Sequence, residues 1–219
     1  MRFVIKYPTR GRPTLFLRQL QRLRSMASRK HQINFVVSVD QDDTTMQCED
    51  VRRIAKATPN LRIYPGRSTG KIAAVNADMD KLGDYDILIL ASDDMIPQFV
   101  GYDDIIATLM QKHFPNLDGV LHFRDGLNHA NLNTMPIMGR RLVDKWGYIY
   151  HPSYISEWCD NEMECVTERD GKSAKIDMVL FKHEWTTHTG TDATFKRNSG
   201  FFAQDKANYE ARKAAGFLK

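Results

Sequence analysis

The chain has 219 residues, of which 42% are hydrophobic and 26% are charged, and its formal net charge is +4. This composition is typical of a globular protein and excludes a disordered, collagen-like or coiled-coil chain. We expect no membrane span and no signal peptide, because no apolar run approaches roughly 18 residues and the basic start lacks an apolar core. Three scattered cysteines predict no disulfide framework, which favours a reducing, cytoplasmic location.

The positive charge is concentrated at the beginning of the chain. Nine Lys and Arg residues precede Asp40, the first acid, so residues 1–39 carry a formal charge of +9 and residues 40–219 a charge of −5. A basic segment of this kind is either a solvated helix face or a surface that meets an anionic partner, such as a nucleotide, a nucleic acid or an acidic glycan. The charge pattern leaves both interpretations open.

Strands and helices alternate through the first 95 residues. Apolar runs rich in β-branched residues predict four strands, at Arg2–Tyr7, Ile33–Val39, Leu61–Pro65 and Tyr85–Ser92. Helical periodicity predicts three connecting helices. The first begins at Pro13, the second is capped by Thr44 or Thr45 and runs through Ala57, and the third spans 68–82 with Ser68 or Thr69 as its cap. This order favours an α/β fold with a mostly parallel central sheet and helices on both faces.

After residue 95 the pattern is less regular. Segment 118–125 predicts a strand, segment 134–147 a strand running into a short helix, and residues 174–183 one late strand. Helices are predicted at 101–114, 156–171 and 203–217, the last of which is amphipathic. Because no linker, repeat or low-complexity segment interrupts the sequence, we predict a single domain.

Ligands of open α/β sheets bind beyond the carboxyl ends of the strands. Polar clusters follow the four predicted strands, at Thr9–Arg12, Asp40–Asp43, Pro65–Lys71 and Ser92–Asp94. The adjacent acids Asp93 and Asp94 would repel each other at the tip of a buried strand unless a cation or a donor-rich ligand is present. Because oxygen ligands suit Mg²⁺ or Mn²⁺, the pattern predicts a site for a phosphorylated ligand and a metal ion. The alternative is that one of the two acids only caps the following helix.

Four segments between residues 1 and 95 resemble, in their order, the nucleotide-binding half of glycosyltransferases with the GT-A fold. They read KYPTRGRP, VVSVD, GKIAAVN and ILASDDM. The sequence is similar to family-2-type enzymes and to short, single-domain members from phage and bacterial genomes. The resemblance implies one GT-A-like domain over residues 1–219, with the nucleotide sugar bound by residues 1–95. Residues 96–219 would then form the acceptor side and a C-terminal helix.

The same resemblance implies roles for individual residues on the donor side. The donor-binding residues would be Thr9, Arg10, Arg12, Asp40, Lys71, Asn76 and Asp93. Thr9 and Arg10 would line the base and diphosphate pocket, and Asp40 would hydrogen-bond the base or the ribose. Lys71 would lie near the phosphates, and Asp93 would reach the ribose or the donor sugar.

The resemblance further implies a metal ion, Mn²⁺ or Mg²⁺, that carries the charge of the departing nucleoside diphosphate. Asp94 would bind this ion, and His183 or His188, which follow the late strand, would add a further ligand. The alternative for each histidine is a hydrogen bond within the loop. These enzymes often have a D-x-D motif, whereas Ser92 stands in its first position here, so Asp93 and Asp94 must divide the roles.

The segment SEWCDNEMECV resembles the acidic stretch that begins the acceptor-side helix of these enzymes. The resemblance implies Asp160 as the general base that accepts the proton of the acceptor hydroxyl, with Glu157 or Glu162 as replacements. The alternative is that these carboxylates only cover a helix surface. Trp158 and Trp146 would either form a sugar-stacking wall or pack in the core.

The sequence thus predicts a hexosyltransferase-like enzyme that moves a sugar from a nucleotide sugar to an acceptor hydroxyl, with inversion at the anomeric carbon. The expected donor is a UDP-sugar, and the expected acceptor is a glycan or modified DNA. One alternative is a nucleic-acid-binding protein, although the acid pair at the strand end repels phosphate. The other is a sugar-nucleotide nucleotidyltransferase, which needs a glycine-rich loop where YPTRGRPT has one glycine.

Overall fold

The computed structural model describes residues 1–127, 132–184 and 193–217. Within these ranges the strands are β1 (Arg2–Thr9), β2 (Gln32–Asp40), β3 (Leu61–Gly66), β4 (Ile87–Leu90), β5 (Met95–Pro97), β6 (Val120–Phe123), β7 (Ile137–Gly139), β8 (Ser173–Ile176) and β9 (Phe181–His183). The α-helices are α1 (Pro13–Ser25), α2 (Glu49–Ala57), α3 (Lys71–Val75), α4 (Tyr102–His113), α5 (Arg140–Trp146), α6 (Cys159–Arg169), α7 (Ala193–Ser199) and α8 (Phe202–Ala214). None of the helices in the described ranges has the length and apolarity needed to cross a membrane.

Seven strands form the central sheet, in the order β3-β2-β1-β4-β7-β6-β8. The strands β1, β2, β3 and β4 run parallel to one another, and β8 runs parallel to β6. Among the described strands of this sheet, only β7, which lies between β4 and β6, is antiparallel to both of its neighbours. The mostly parallel sheet predicted from the sequence is therefore confirmed, and the carboxyl ends of its parallel strands meet at one edge.

Helices cover both faces of this sheet, as predicted. On β1, Phe3, Ile5 and Tyr7 point to a core formed with α1, α2 and α4, while Val4 points to a second core formed with α3, α5, α6 and α8. This division follows from the alternation of side chains along a strand that is buried on both faces. The four strands predicted in the first 95 residues are all present.

The connections after β2 and β3 differ from the prediction. The segment expected to begin a helix at Thr44 or Thr45 is a 3₁₀ turn, Thr44–Gln47, and α2 begins only at Glu49. The Asp43 carboxylate caps this turn by accepting a hydrogen bond from the Thr45 amide at 3.1 Å. Asp43 therefore has the capping role that the prediction gave to a threonine.

The helix after β3 is shorter than predicted, and its start lies close to another part of the backbone. It begins at Lys71 and ends at Val75, and Gly70 precedes it in an extended conformation. A Cβ atom on Gly70 would lie 2.5 Å from Ile155 Cγ2 and 2.7 Å from Ile155 O. Any larger residue at this position would push the Ile155 segment away from the start of α3.

The single late strand predicted at residues 174–183 is divided in two. Its first part, β8, joins the edge of the central sheet, whereas its second part, β9, pairs with β5 in a separate antiparallel ribbon. In this ribbon Met95 is opposite His183, and the Glu184 amide donates to Asp94 O at 2.8 Å. The pairing brings the end of β9 beside the acid pair that follows β4.

Candidate functional site

A cavity of about 540 Å³ opens at the carboxyl ends of β1, β2 and β4. Ten of the residues predicted to form a site line it, namely Thr9, Arg10, Arg12, Asp40, Lys71, Asp93, Asp94, Glu157, Asp160 and His183. These residues come from six separate parts of the chain, and the strand ends, the start of α3, the start of α6 and the end of β9 bring them together. The cavity lies at the edge of the sheet where the sequence predicted it.

Two of the other predicted residues, Asn76 and Glu162, are placed differently. Asn76 does not line the cavity, and its side chain donates to Tyr150 O at 2.6 Å and accepts from the Ile149 amide at 2.9 Å. Glu162 is buried and does not line the cavity, and Arg212 donates two hydrogen bonds to it, at 2.6 and 2.7 Å. His188 lies outside the described residues. Asn76 and Glu162 thus connect structural elements, and neither reaches the cavity in this structure.

Asp93 is held by side chains of β1 and the loop after it. The Tyr7 hydroxyl donates to its Oδ1 atom at 2.8 Å, and Thr9 Oγ1 lies 3.3 Å from Oδ2. The guanidinium of Arg12 is 3.8 Å from the same carboxylate. Burial nevertheless outweighs these donors and the Arg12 charge, and it raises the pKa of Asp93 to about 7. Asp93 is therefore a firmly positioned carboxyl whose ionisation is costly.

Asp94 has the opposite electrostatic character. Its Oδ1 atom accepts a hydrogen bond from Ser92 Oγ at 2.5 Å, and its Oδ2 atom lies 3.5 Å from His183 Nε2. Burial favours the neutral form, but His183 and the Ser92 hydroxyl together lower the pKa of Asp94 to about 2. The two adjacent carboxyls thus differ in ionisation, and Asp94 is an anion at neutral pH.

The Asp94 and His183 side chains fit a shared divalent metal ion. A carboxylate oxygen and an imidazole nitrogen are suitable ligands for Mn²⁺, and such ions commonly complete their coordination with phosphate oxygens and water. No group of three or more His, Cys, Asp or Glu side chains forms a metal cage within the described ranges. An ion held by these two side chains would need further ligands from water or from a bound anionic molecule.

Basic side chains surround the outer part of the cavity. The Arg and Lys residues of the lining are Arg10, Arg12, Lys71 and Arg197. Arg10 contacts Asp40 at 2.5 Å and Asp42 at 2.6 Å, and Arg197 of α7 lies 4.0 Å from Asp40. The hydrogen bond with Asp42, helped by Asp40 and opposed by partial burial, raises the pKa of Arg10. Arg10 and Asp40, which were predicted to contact different parts of a donor, therefore pair with each other.

Glu157 and Asp160 form the opposite wall with Lys71. Burial raises the pKa of both carboxyls, and the positive charge of Lys71 opposes this rise. Desolvation of Lys71 lowers its pKa, but the negative charges of Glu157 and Asp160 act in the opposite direction, and the pKa of Lys71 is raised. A carboxylate with a raised pKa beside a ligand cavity is well suited to accept a proton.

A buried polar cluster lies beneath the cavity on the α3 side. Lys6, which is fully buried, donates to Ser38 Oγ, and the Ser38 hydroxyl donates to Asp78. Burial lowers the pKa of Lys6 to about 8, against the charge of Asp78. Ser38 lines the cavity above this cluster. No sequence pattern indicated the cluster, because Lys6 was one of nine basic residues in the first 39.

Sequence reasoning also missed the contribution of the C-terminal helices. Residues Thr194, Arg197, Asn198, Ser199 and Phe202 of α7 and α8 line the cavity. They precede the amphipathic helix predicted at 203–217, no motif marked them, and the fold brings them to the carboxyl edge of the sheet.

Trp158 packs in this region and does not form an open sugar-stacking wall. Its ring centroid lies 5.5 Å from that of Phe202 and 5.2 Å from that of Tyr209, both on α8. Trp146 packs beside Tyr148 at 5.8 Å. Phe202 is 52% exposed, and it presents an aromatic side chain to the cavity.

The sequence matches no protein-family model, and no curated protein shows significant similarity to it. Among solved structures, mannosyltransferase PcManGT from Pyrobaculum calidifontis, in complex with GDP-Man and Mn²⁺, matches 85% of this chain with a TM-score of 0.68 and 13% identity. TarS 1-349 from S. aureus matches 84% with a TM-score of 0.62 and 14% identity, and its complex with UDP-GlcNAc matches 83% with the same score and identity.

The chain spans 58%, 60% and 58% of those three solved chains, respectively. At these identities the similarity establishes the architecture alone. Together with the sheet order and the helices on both faces, this similarity confirms the fold that was predicted from the four N-terminal segments. The chain has the GT-A-like fold of glycosyltransferases.

Proposed function

We propose that this chain is a glycosyltransferase that moves a sugar from a nucleoside-diphosphate sugar to an acceptor hydroxyl with the help of a divalent metal ion. The observation that carries the proposal is the joint placement of the Asp94 anion, His183 and several basic side chains in one cavity at the carboxyl edge of the sheet. Such a set complements a diphosphate and a metal ion together. UDP-sugars and GDP-sugars are the first donors to test, because the structural neighbours bind UDP-GlcNAc or GDP-Man.

In this proposal the donor side of the cavity stabilises negative charge. Asp94 and His183 would hold Mn²⁺ or Mg²⁺, and the ion would stabilise the leaving diphosphate as a Lewis acid. Arg12 and Lys71 lie where they can offset the remaining phosphate charge, and Arg10 can do so by exchanging its contact with Asp42. Thr9, Asp40 and Ser38 are available to hydrogen-bond the nucleoside.

The acceptor side supplies a proton acceptor. The acceptor oxygen would attack the anomeric carbon while the bond from that carbon to the phosphate oxygen breaks. Its proton would pass to a carboxylate, for which Asp160 is our first choice and Glu157 the second, because both line the cavity and have a raised pKa. A direct displacement of this kind inverts the anomeric configuration.

The rim of the cavity favours a saccharide acceptor. The exposed ring of Phe202 can contact the apolar face of a sugar, and Asn198 and Ser199 offer polar groups to its hydroxyls. Modified DNA is the second acceptor to test, because exposed basic residues such as Arg18 and Arg24 lie on α1, which follows Arg12 of the cavity.

Thermal unfolding of the protein with a panel of nucleotides tests the proposal. We expect UDP or GDP, or one of their sugars, to raise the melting temperature in the presence of Mn²⁺, because a ligand that binds only the folded state stabilises it. At a ligand concentration 100 times the dissociation constant, the stabilisation is about 2.7 kcal/mol, or roughly 5–10 °C for a chain of this size.

The panel includes its own controls. ADP and AMP test whether any nucleotide produces the shift, and EDTA in place of Mn²⁺ tests whether the metal contributes. A protein whose melting temperature is unchanged by every UDP and GDP compound, with and without Mn²⁺, would contradict the proposed function.

A further inference from the structure

The buried carboxylate of Asp205 holds one short segment of backbone in place. Asp205 lies on α8, is only 1% exposed, and accepts hydrogen bonds from three consecutive amides. The Ile155 amide donates to Oδ1 at 3.0 Å, and the Ser156 and Glu157 amides donate to Oδ2 at 2.7 and 2.8 Å. Amide hydrogen bonds to a carboxylate are stronger than those to a neutral acceptor.

The segment that Asp205 holds is also bonded to the donor side of the cavity. The Ile72 amide, in the first turn of α3, donates to Ile155 O at 3.0 Å, and Gly70 packs against the same carbonyl. Lys71 stands between these two contacts and lines the cavity. A continuous set of hydrogen bonds therefore runs from α8 through residues 155–157 to the start of α3.

The backbone directly after this segment has an unusual conformation. Trp158 has a φ angle of +64°, in the left-handed region that side chains with a Cβ rarely adopt. Such a conformation persists only where the surroundings hold it, and here the ring of Trp158 packs against Phe202 and Tyr209 of α8. Helix α6 begins at the next residue, Cys159, and carries Asp160 in its first turn.

We infer that Asp205 is a positioning residue for the acceptor side of the site, and this inference rests on the proposed function. By fixing the backbone of residues 155–157, it keeps the carboxylates of Glu157 and Asp160 at the cavity wall beside Lys71. Asp205 does not line the cavity, so its effect is exerted through the segment that it holds. An acceptor-side group displaced by about 1 Å can lose about 100-fold in rate without any loss of donor binding.

The test compares Asp205→Asn with a matched control on the same helix. The asparagine side chain would keep one oxygen acceptor but would present an NH₂ group to at least one of the three amides, and that pairing is repulsive. Asn208→Ala is the control, because Asn208 also bonds to the neighbouring segment, at Ser153 O, but is only half-buried and holds no carboxylate of the site. Release of UDP from UDP-GlcNAc and of GDP from GDP-mannose gives kcat and KM, and amide hydrogen exchange reports on residues 155–157.

We expect Asp205→Asn to lower kcat by about 10- to 100-fold, to leave the donor KM within about twofold, and to accelerate exchange at residues 155–157. Asn208→Ala should leave all three unchanged. An unchanged kcat, or a fall in kcat without faster exchange in this segment, would overturn the positioning role. Should Asp205→Asn fail to fold, Asp205→Glu keeps the charge but displaces it by one methylene, and the same fall in kcat is expected. A wild-type protein that releases no nucleotide would instead contradict the proposed function and, with it, this inference.

Discussion

Replacing Asp94 with asparagine is expected to lower the rate of nucleoside diphosphate release from a nucleotide sugar about 1,000-fold, because it removes the anion that would bind the metal. A metal ion contributes several kcal/mol to stabilising a leaving phosphate, and each 1.36 kcal/mol corresponds to a factor of about ten. The change is nearly isosteric, and Ser92 can still hydrogen-bond the amide oxygen. The rate is measured as UDP or GDP release over a range of Mn²⁺ concentrations.

The matched control for Asp94 is Asp118→Asn. Asp118 also forms an ion pair, with Lys172 at 2.5 Å, but it lies outside the cavity lining. The control should retain the wild-type rate and the wild-type dependence on Mn²⁺. If Asp94→Asn keeps more than about a third of the wild-type rate, the assignment of Asp94 to the metal is wrong, because a factor of about three corresponds to less than about 1 kcal/mol.

Replacing the general base is expected to have the second large effect. We predict that Asp160→Asn lowers kcat by about 100- to 10,000-fold while the nucleotide binds as before, because proton acceptance occurs only in the transition state. Glu157→Gln should have the smaller effect of the two. Both are compared with Glu168→Gln, a change on the same helix as Asp160, at a residue that pairs with Lys175 outside the cavity.

The pH dependence of kcat gives a second measure of the base. Burial raises the pKa of Asp160 above its ordinary value of about 4. The carboxyl is therefore protonated, and unable to act as a base, over a wider acidic range than an exposed aspartate. Wild-type activity should therefore rise with pH through a value above about 4, and this acidic limb should be absent from the residual activity of Asp160→Asn. If Asp160→Asn retains both the rate and the acidic limb while Glu157→Gln loses them, Glu157 is the base. If neither variant loses activity, neither of these two carboxylates is the base.

The first four strands and the position of the cavity could be predicted from the sequence because both depend on local patterns. Continuous apolar runs such as Ile33–Val39 suit a strand covered on both faces, and polar clusters after such runs lie at one edge of a parallel sheet. The resemblance to the GT-A fold rested on these same segments, and the fold is confirmed. The roles given to individual residues stay predictions, including those of Thr9, Asp40 and Lys71.

Non-local contacts account for what sequence reasoning missed. His183 reaches the acid pair because β9 leaves the central sheet and pairs with β5, and a continuous run of strand-like residues does not reveal such a division. Asn76 was assigned to the donor by its place in a motif, but its amide bonds to the backbone at residues 149–150. Asp205 gave no signal at all, because an acid on an amphipathic helix is ordinarily solvent-exposed.

Titration calorimetry with UDP and GDP, in the presence and absence of Mn²⁺, tests the central claim most directly, because it asks whether the cavity binds a nucleoside diphosphate together with a metal ion. We predict that at least one of the two nucleotides binds at least about tenfold more tightly with Mn²⁺, a coupling of about 1.4 kcal/mol, and that Asp94→Asn abolishes this difference. Binding of neither nucleotide, or equal affinity with and without Mn²⁺ in the wild-type protein, would contradict it.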